Sequence, residues 1–151
     1  MPWQPKQLQN MNNRYCIESQ EDSQQMSQLL EARIYEHNSN KINQHDGSLF
    51  SRNIVDENKE VIAGVAGWTW AGVCEITQLW VNEKVRKNGI GEMLLQEVEV
   101  EAKSKGCHII LVKSYSFQAP HFYEKHGYNV EHILNGFPEG HNYYILTKKI
   151  G

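Results

Sequence analysis

At 151 residues, 40% hydrophobic and 22% charged, the chain has one domain's worth of volume and enough apolar residues to close a core. A formal charge of -3 and a pI near 6.2 argue against nucleic-acid binding through a general basic field. No apolar run nears the roughly 20 residues that cross a bilayer, and the opening MPWQPKQLQNMNN lacks the apolar stretch of a signal peptide.

Residues 1–12 read as a polar extension and residues 13–151 as the domain. RYCIES, residues 14–19, predicts a short first strand. Met26, Leu29, Leu30 and Ile34 then recur at helical spacing within EDSQQMSQLLEARIYEHN. The turn formers of NSNKINQHDGS predict a polar loop over residues 38–48, a length that often serves to cover ligands. LFSRNIV, EVIAGVAGWTW and VCEITQLWV follow as strands, joined by DENKE and then by Ala71-Gly72, which predicts an antiparallel meander. A two-residue loop at Ala71-Gly72 sets Trp70 opposite Val73 and Trp68 opposite Glu75.

Ile90, Met93, Leu94, Val98 and Ala102 repeat at three and four, marking a helix that closes near SKGC with Gly106 suited to the C-cap. CHIILVKS has the length and apolarity of a buried strand. Residues 118–126 predict a short helix stopped by Gly127, and YNVEHIL and HNYYILTKKI form two strands around the turn-rich NGFPEG. The order is strand, helix, three strands, helix, strand, helix, two strands, a mixed α/β (α+β) domain. Cys16, Cys74 and Cys107 are odd in number, widely spaced and set in strand-like contexts. They read as small buried hydrophobes rather than a disulfide framework or metal site, which favours a reduced, cytoplasmic setting.

VRKNGIGEML, residues 85–94, puts two glycines and two cations at the mouth of the second amphipathic helix, with no acid before Glu92. Glycines allow tight turns and close backbone approach. The first turn of a helix leaves amides without intrahelical partners and carries partial positive charge. The pattern therefore suits a pyrophosphate or similar polyanion, against the plainer alternative of a strand-to-helix turn. A P-loop needs Gly-Lys-Ser/Thr where Glu92 and Met93 follow Gly91. The dinucleotide fingerprint wants a glycine where Leu94 stands.

Arg86-x-x-Gly89-x-Gly91, preceded by ITQLWV, resembles the acetyl-CoA signature of the GNAT N-acetyltransferase superfamily. SFQAPHFYEKHGY, residues 116–128, is similar to that family's later motif, Asn-x-x-Ala-x-x-x-Tyr-x-Lys-x-Gly-Phe. Ala119, Tyr123, Lys125 and Gly127 fall in register, with Ser116 in place of Asn and Tyr128 in place of Phe. The resemblance implies a mostly antiparallel sheet of six or seven strands flanked by helices, splayed between ITQLWV and HIILVKS to admit acetyl-CoA as co-substrate. It implies that the backbone of Leu79, Trp80 and Val81 binds the pantetheine arm. Arg86, Lys87, Asn88, Gly89, Ile90, Gly91 and Glu92 would hold the pyrophosphate, and Ser116, Ala119, Phe122, Tyr123 and Lys125 would meet the cofactor from the later motif. No metal is implied.

Acetyl transfer needs a neutral amine, a donor for the developing oxyanion (Trp80 or Val81 N–H) and a proton for the leaving thiolate. Tyr123, at the family's tyrosine position, is the expected proton donor; ring packing with a locally bonded hydroxyl is the alternative. Glu75, eleven residues before Arg86, is similar to the glutamate base of the histone acetyltransferase branch, and Trp68 opposite it would raise its pKa. A solvent-facing strand glutamate or a water relay are the alternatives there. No cysteine is placed as an acyl carrier, so direct attack in a ternary complex is implied. His121, His126, His132 and His141 read as surface or loop histidines, and Trp68 and Trp70 as cleft lining or core. The acceptor is a small-molecule or peptide amine, with no nucleic-acid or membrane partner expected and a homodimer left open. A non-catalytic acyl-CoA sensor is the rival reading.

Overall fold

The computed structural model describes residues 15–151; the polar extension and Arg14, at the head of the expected first strand, lie outside the described residues. The chain divides into two units, Met1–Asn43 and Gln44–Gly151.

In the first unit, residues 15–19 carry no regular structure, so the expected first strand does not form there. Tyr15 and Ile17 are exposed, and a strand without a paired neighbour leaves its backbone groups to water. Helix α1 (Ser23–Ile42) starts where the Asp22 carboxylate accepts the Gln25 N–H at 2.9 Å. It ends where Asn43, at φ 53°, returns its N–H to Ser39 O. Residues 38–42, expected in a loop, are thus its last turn. Asn and Ser cost only a few tenths of a kcal/mol each in a helix, while Lys41 favours the C-terminal end of the dipole.

The second unit contains β1 (Ser48–Val55), β2 (Val61–Trp70), β3 (Val73–Val81), α2 (Ile90–Ser104), β4 (Ile109–Tyr115), α3 (Pro120–Lys125), β5 (Asn129–Asn135) and β6 (Asn142–Lys149). One six-stranded sheet runs β1-β2-β3-β4-β6-β5, antiparallel at every pair except β3–β4. Ala71 (φ 48°) and Gly72 (φ 81°) make the two-residue turn, and the register sets Trp70 against Val73 and Trp68 against Glu75, as the sequence predicts. One sheet face, with Ala63, Val65, Cys74, Ile76, Ile110, Val112 and Leu146, packs on Leu94, Leu95, Val98 and Ala102 of α2. Met93, part of the expected apolar repeat, is 55% exposed; Leu95 takes the buried place.

The central sheet is pulled apart. Ala66 pairs with Gln78 and Gly67 with Ile76, which leaves Thr77 as the extra residue of a β-bulge on β3. The Thr77 hydroxyl donates to Ala66 O at 3.1 Å and pins the bulge. Pairing between β3 and β4 stops at Ile76–Val112. Beyond that point β3 follows β2 to Val81, and β4 follows β6 to Tyr115. A wedge therefore opens between the two parallel strands.

Gly67 makes room for this bend: a Cβ there would lie 2.1 Å from Glu75 O and 2.7 Å from Phe50 Cζ. Gly67→Ala should destabilise the fold by at least about 2 kcal/mol in denaturant titration. Ala71→Asn, which tolerates the left-handed turn better than alanine, should stabilise it by about 0.5–1 kcal/mol in the same measurement.

Candidate active site

The wedge is walled by backbone. Asn82 N–H donates to Ile62 O at 2.9 Å. Antiparallel alternation from that bond turns the main chain of Trp80 and Gln78 toward β2, and that of Leu79 and Val81 toward the wedge. The Trp80 side chain is 49% exposed. Arg86 folds back so that its Nε donates to Val81 O at 3.0 Å, tying the following loop to the end of β3.

That loop begins with a single 3-10 turn, Glu83–Val85, capped by the Asn82 side chain, which accepts Lys84 N–H at 2.9 Å. Arg86 N–H is already donated to Glu83 O, so its amide does not join the expected anion-facing set. Lys87 (φ 66°) and Gly89 (φ 75°) are both left-handed, and the Asn88 amide braces the turn by donating to Val85 O at 3.1 Å. Helix α2 opens on Gly89 with no side-chain cap. Its first turn closes with Met93 N–H to Gly89 O. Among the described residues, the amides of residues 87–92 have no acceptor, and nothing stands within 4 Å of where a Gly89 Cβ would be.

Helix α3 docks on this first turn. A Cβ on Gly91 would come 2.9 Å from Phe122 Cζ, so the glycine is what admits the ring. Pro120 at the first helical position fixes the start, with Ala119 N–H donating to Ser114 Oγ and Gln118 Oε1 accepting Tyr115 N–H at 2.8 Å. The helix is shorter at both ends than residues 118–126. Ser116 is held by Asn142: its N–H donates to Asn142 O at 2.8 Å and its hydroxyl accepts Asn142 N–H at 3.1 Å. Lys125 is exposed.

Tyr123 is 7% exposed, edge-on to Phe122 and Tyr128, and its hydroxyl has no hydrogen bond among the described residues. Burial pushes its pKa up to about 12. Tyr128, buried beside it with an unpartnered hydroxyl, is pushed up as well, chiefly by burial. Both phenols are therefore neutral at ordinary pH.

Glu75 faces the side of the sheet away from α2. Trp68 is opposite it as expected, but its closest polar neighbour is Lys113 Nζ at 3.1 Å. The hydrogen bond to Glu75 raises the lysine pKa against the opposing effect of burial. Lys113 was missed in the sequence; the signal was the one cation inside the apolar run HIILVKS. Trp68 and Trp70 are half-buried on this same face, outside the α2-packed core, and the Trp70 indole donates to Gln44 O at 2.8 Å.

The histidines divide. His121 meets Glu124 at 3.4 Å, His126 packs edge-on to Phe122, His132 is exposed on β5, and His141 packs edge-on to Phe117. Cys74 and Cys107 are buried and Cys16 is exposed, all three as free thiols. Burial pushes Cys74 up to about 12 and raises Cys107 too, so neither is a ready nucleophile. A disulfide-exchange reagent at pH 8 should label one thiol rapidly in the native protein and three in denaturant. Rapid native labelling of a second would contradict the buried placement.

Against known proteins, the model of the acetyltransferase (GNAT) family matches residues 7–128. Blasticidin-S acetyltransferase from Streptomyces morookaense is 31% identical over 98 residues, covering 62% of this chain and 70% of that protein. The crystal structure of an acetyltransferase from Bacillus cereus superposes with a TM-score of 0.73 at 31% identity, over 89% of this chain and 98% of the other. An aminoglycoside 6'-N-acetyltransferase complexed with coenzyme A shares the fold at a TM-score of 0.59 and 21% identity, over 67% of this chain and 72% of that one.

Proposed function

The chain belongs to the acetyltransferase (GNAT) family, and we propose that it transfers the acetyl group of acetyl-CoA to the primary amine of a small-molecule or peptide acceptor by direct attack in a ternary complex. The observation that carries this reading is the uncapped start of α2, whose free amides lie at the open end of a sheet split along β3. Relatives named for antibiotic acceptors support a small molecule over a peptide.

The fit is stereochemical. Amides of Lys87, Asn88, Gly89, Ile90, Gly91 and Glu92 supply donors for a diphosphate, helped by the helix dipole and by the Lys87 charge. Arg86 serves by bracing Val81 O rather than by offering its own amide. From there the pantetheine arm runs back along β3, taking the Val81 N–H and the Leu79 carbonyl that β4 no longer takes, while Val81 O stays with Arg86. Trp80 contributes its half-exposed indole. Phe122, Ala119, Ser116 and Lys125 line or support the other wall from α3 and its approach.

This course brings the thioester toward the vertex of the wedge, near Ile76 and Val112. The amine nitrogen attacks the carbonyl carbon, and the Leu79 N–H, the wedge-facing amide nearer that vertex, is the donor for the oxygen's developing charge. The Trp80 N–H turns toward β2, and Val81 lies at the diphosphate end of the strand. A C–N bond forms and the C–S bond breaks. The departing thiolate takes the Tyr123 phenol proton, and the proton released by nitrogen goes to Glu75, directly or through water, while Lys113 holds one oxygen of that carboxylate. Glu75 gives its proton up to solvent and solvent returns one to Tyr123, leaving an amide, free coenzyme A thiol and the enzyme in its starting protonation state. High thiol pKa values at Cys74 and Cys107 favour direct attack over an acyl-cysteine. Free thiols also fit a reducing, cytoplasmic setting.

Thiol release measured with an amine panel tests this. Tyr123→Phe should lower kcat by roughly 10²- to 10⁴-fold while the acetyl-CoA KM moves less than about twofold; undiminished turnover would remove Tyr123 from the chemistry. Gly89→Val should abolish acetyl-CoA binding in calorimetry, because a branched side chain disfavours φ 75° and fills the space before the amides. With wild-type protein, kcat/KM should climb with pH as the acceptor loses its proton, near about 10.4 for an alkylamine. Tyr123 is still protonated there, since its pKa is raised to about 12. An alkaline fall below pH 10 would point to a different proton donor.

A further inference from the structure

Four aromatic side chains stand outside the hydrophobic core and stack on one another. Tyr115 and Tyr143 rings lie 4.5 Å apart at 27°, Tyr115 and Phe117 5.2 Å apart at 9°, and Phe137 and Tyr143 5.2 Å apart at 27°. None of the four belongs to the core cluster. Phe117 is 58% exposed and Phe137 50% exposed, an unusual display for rings that could have been buried.

Their position ties them to the wedge. Tyr115 ends β4, beyond Val112 where pairing with β3 has ceased, and Tyr143 is its partner on β6. Alternation along β4 puts Tyr115 on the face of Leu111 and Lys113, opposite the α2-packed face of Ile110, Val112 and Ser114. Tyr143 is close enough to Lys113 to act on its charge, and Lys113 in turn pairs with Glu75. The stack thus continues the Glu75–Lys113 line away from the vertex.

The surface is also held in place. Ser116 and Asn142 exchange two hydrogen bonds between the segments that carry the rings. Gly136 and Phe137 both donate to His141 O, and the His141 ring meets Phe117 edge-on at 5.0 Å. Ordered rings at 4.5–5.2 Å in near-parallel planes present π-faces that another flat ring can extend, which an aliphatic chain cannot do equally well.

We infer that the amine acceptor carries a planar conjugated ring, which docks on the stack of Tyr115, Phe117, Phe137 and Tyr143 and so brings its amine to the wedge. The inference rests on the acetyl-transfer reading above and adds a substrate class to it. The ring need not react; it orients the molecule, and its binding energy is shared between ground state and transition state.

The test compares 2-phenylethylamine with 2-cyclohexylethylamine, which share an amine and a carbon skeleton but differ in planarity and π character. In thiol release by the full chain, kcat/KM for the phenyl compound should exceed that for the cyclohexyl compound by about threefold to tenfold. In the Phe117→Leu/Phe137→Leu double variant, checked for an unchanged Tm, the ratio should fall toward one through the KM of the phenyl compound, with the acetyl-CoA KM unmoved. Equal efficiencies in the wild type, or a ratio that survives the double substitution, would overturn the inference. Saturation-transfer NMR with 2-phenylethylamine gives a readout that needs no turnover. Ring signals seen with wild type and lost in the double variant, without any acetylation, would keep the platform and sink the transfer reading. No ring signal and no turnover overturns the platform as well. If sedimentation shows a dimer that the double substitution dissolves, the stack is an interface between copies and the inference is wrong.

Discussion

β3 and β4 do not pair past Ile76 and Val112, and the character of the site follows from those unmade hydrogen bonds. A buried backbone donor or acceptor without a partner costs about 1–3 kcal/mol, so a strand edge inside a sheet is retained only where something else satisfies it. The bulge at Thr77 bends β3 while its other edge keeps β2, and Gly67 lets the bend approach Phe50 and the Glu75 carbonyl. The separation is therefore a property of the sheet's own covalent and steric design. It presents Leu79 and Val81 as a row of main-chain groups suited to an amide-rich, extended ligand arm.

The loop after β3 converts that row into a site for a charged end group. Arg86 anchors to Val81 O, Lys87 and Gly89 adopt left-handed backbone, and α2 starts without a cap. The left-handed Lys87 and the missing cap are unfavourable for the loop alone; with the Arg86 anchor holding them, they leave a cluster of donors in one small volume. The amphipathic packing of α2 through Leu94, Leu95, Val98 and Ala102 keeps that cluster in register with the strand. Phe122, seated against Gly91, adds α3 to the same rigid body and brings Tyr123 with it.

Burial then sets the chemistry each group can perform. The Tyr123 phenol and the Cys74 thiol are both held neutral by desolvation, which keeps the proton on the first and unfits the second for attack. On the opposite face, Glu75 and Lys113 hold each other, and beyond them lie aromatic rings that the core does not use. The two faces of the split sheet therefore differ: one is apolar with neutral acids, the other charged and aromatic.

Much of this was legible in the residues. Alternation and turn chemistry gave the meander, and the two-residue loop at Ala71-Gly72 fixed the Trp68–Glu75 register through period-two geometry. Two spaced motifs pointed to the family because glycine position and helix start are local properties of the chain. Local pattern failed where the outcome depended on neighbours. RYCIES reads as a short strand through its Tyr-Cys-Ile centre, but residues 15–19 form no regular structure. Residues 38–42 look like loop but extend α1, because their propensity deficit is small beside one more helical turn. Met93 fits the apolar repeat, yet Leu95 is the side chain facing the sheet.

Sequence by itself thus determined the strand and helix order from the first helix onward, the donor-rich turn and the tyrosine near it, since each is written within a few consecutive residues. The resemblance implied which two strands part, but only the tertiary structure decided that pairing ends at Ile76 and Val112, that Arg86 braces a carbonyl, that Lys113 pairs with Glu75, and that Tyr115, Phe117, Phe137 and Tyr143 stack. Those outcomes join residues far apart in the chain, and their energies come from register, burial and ring geometry that no short window contains.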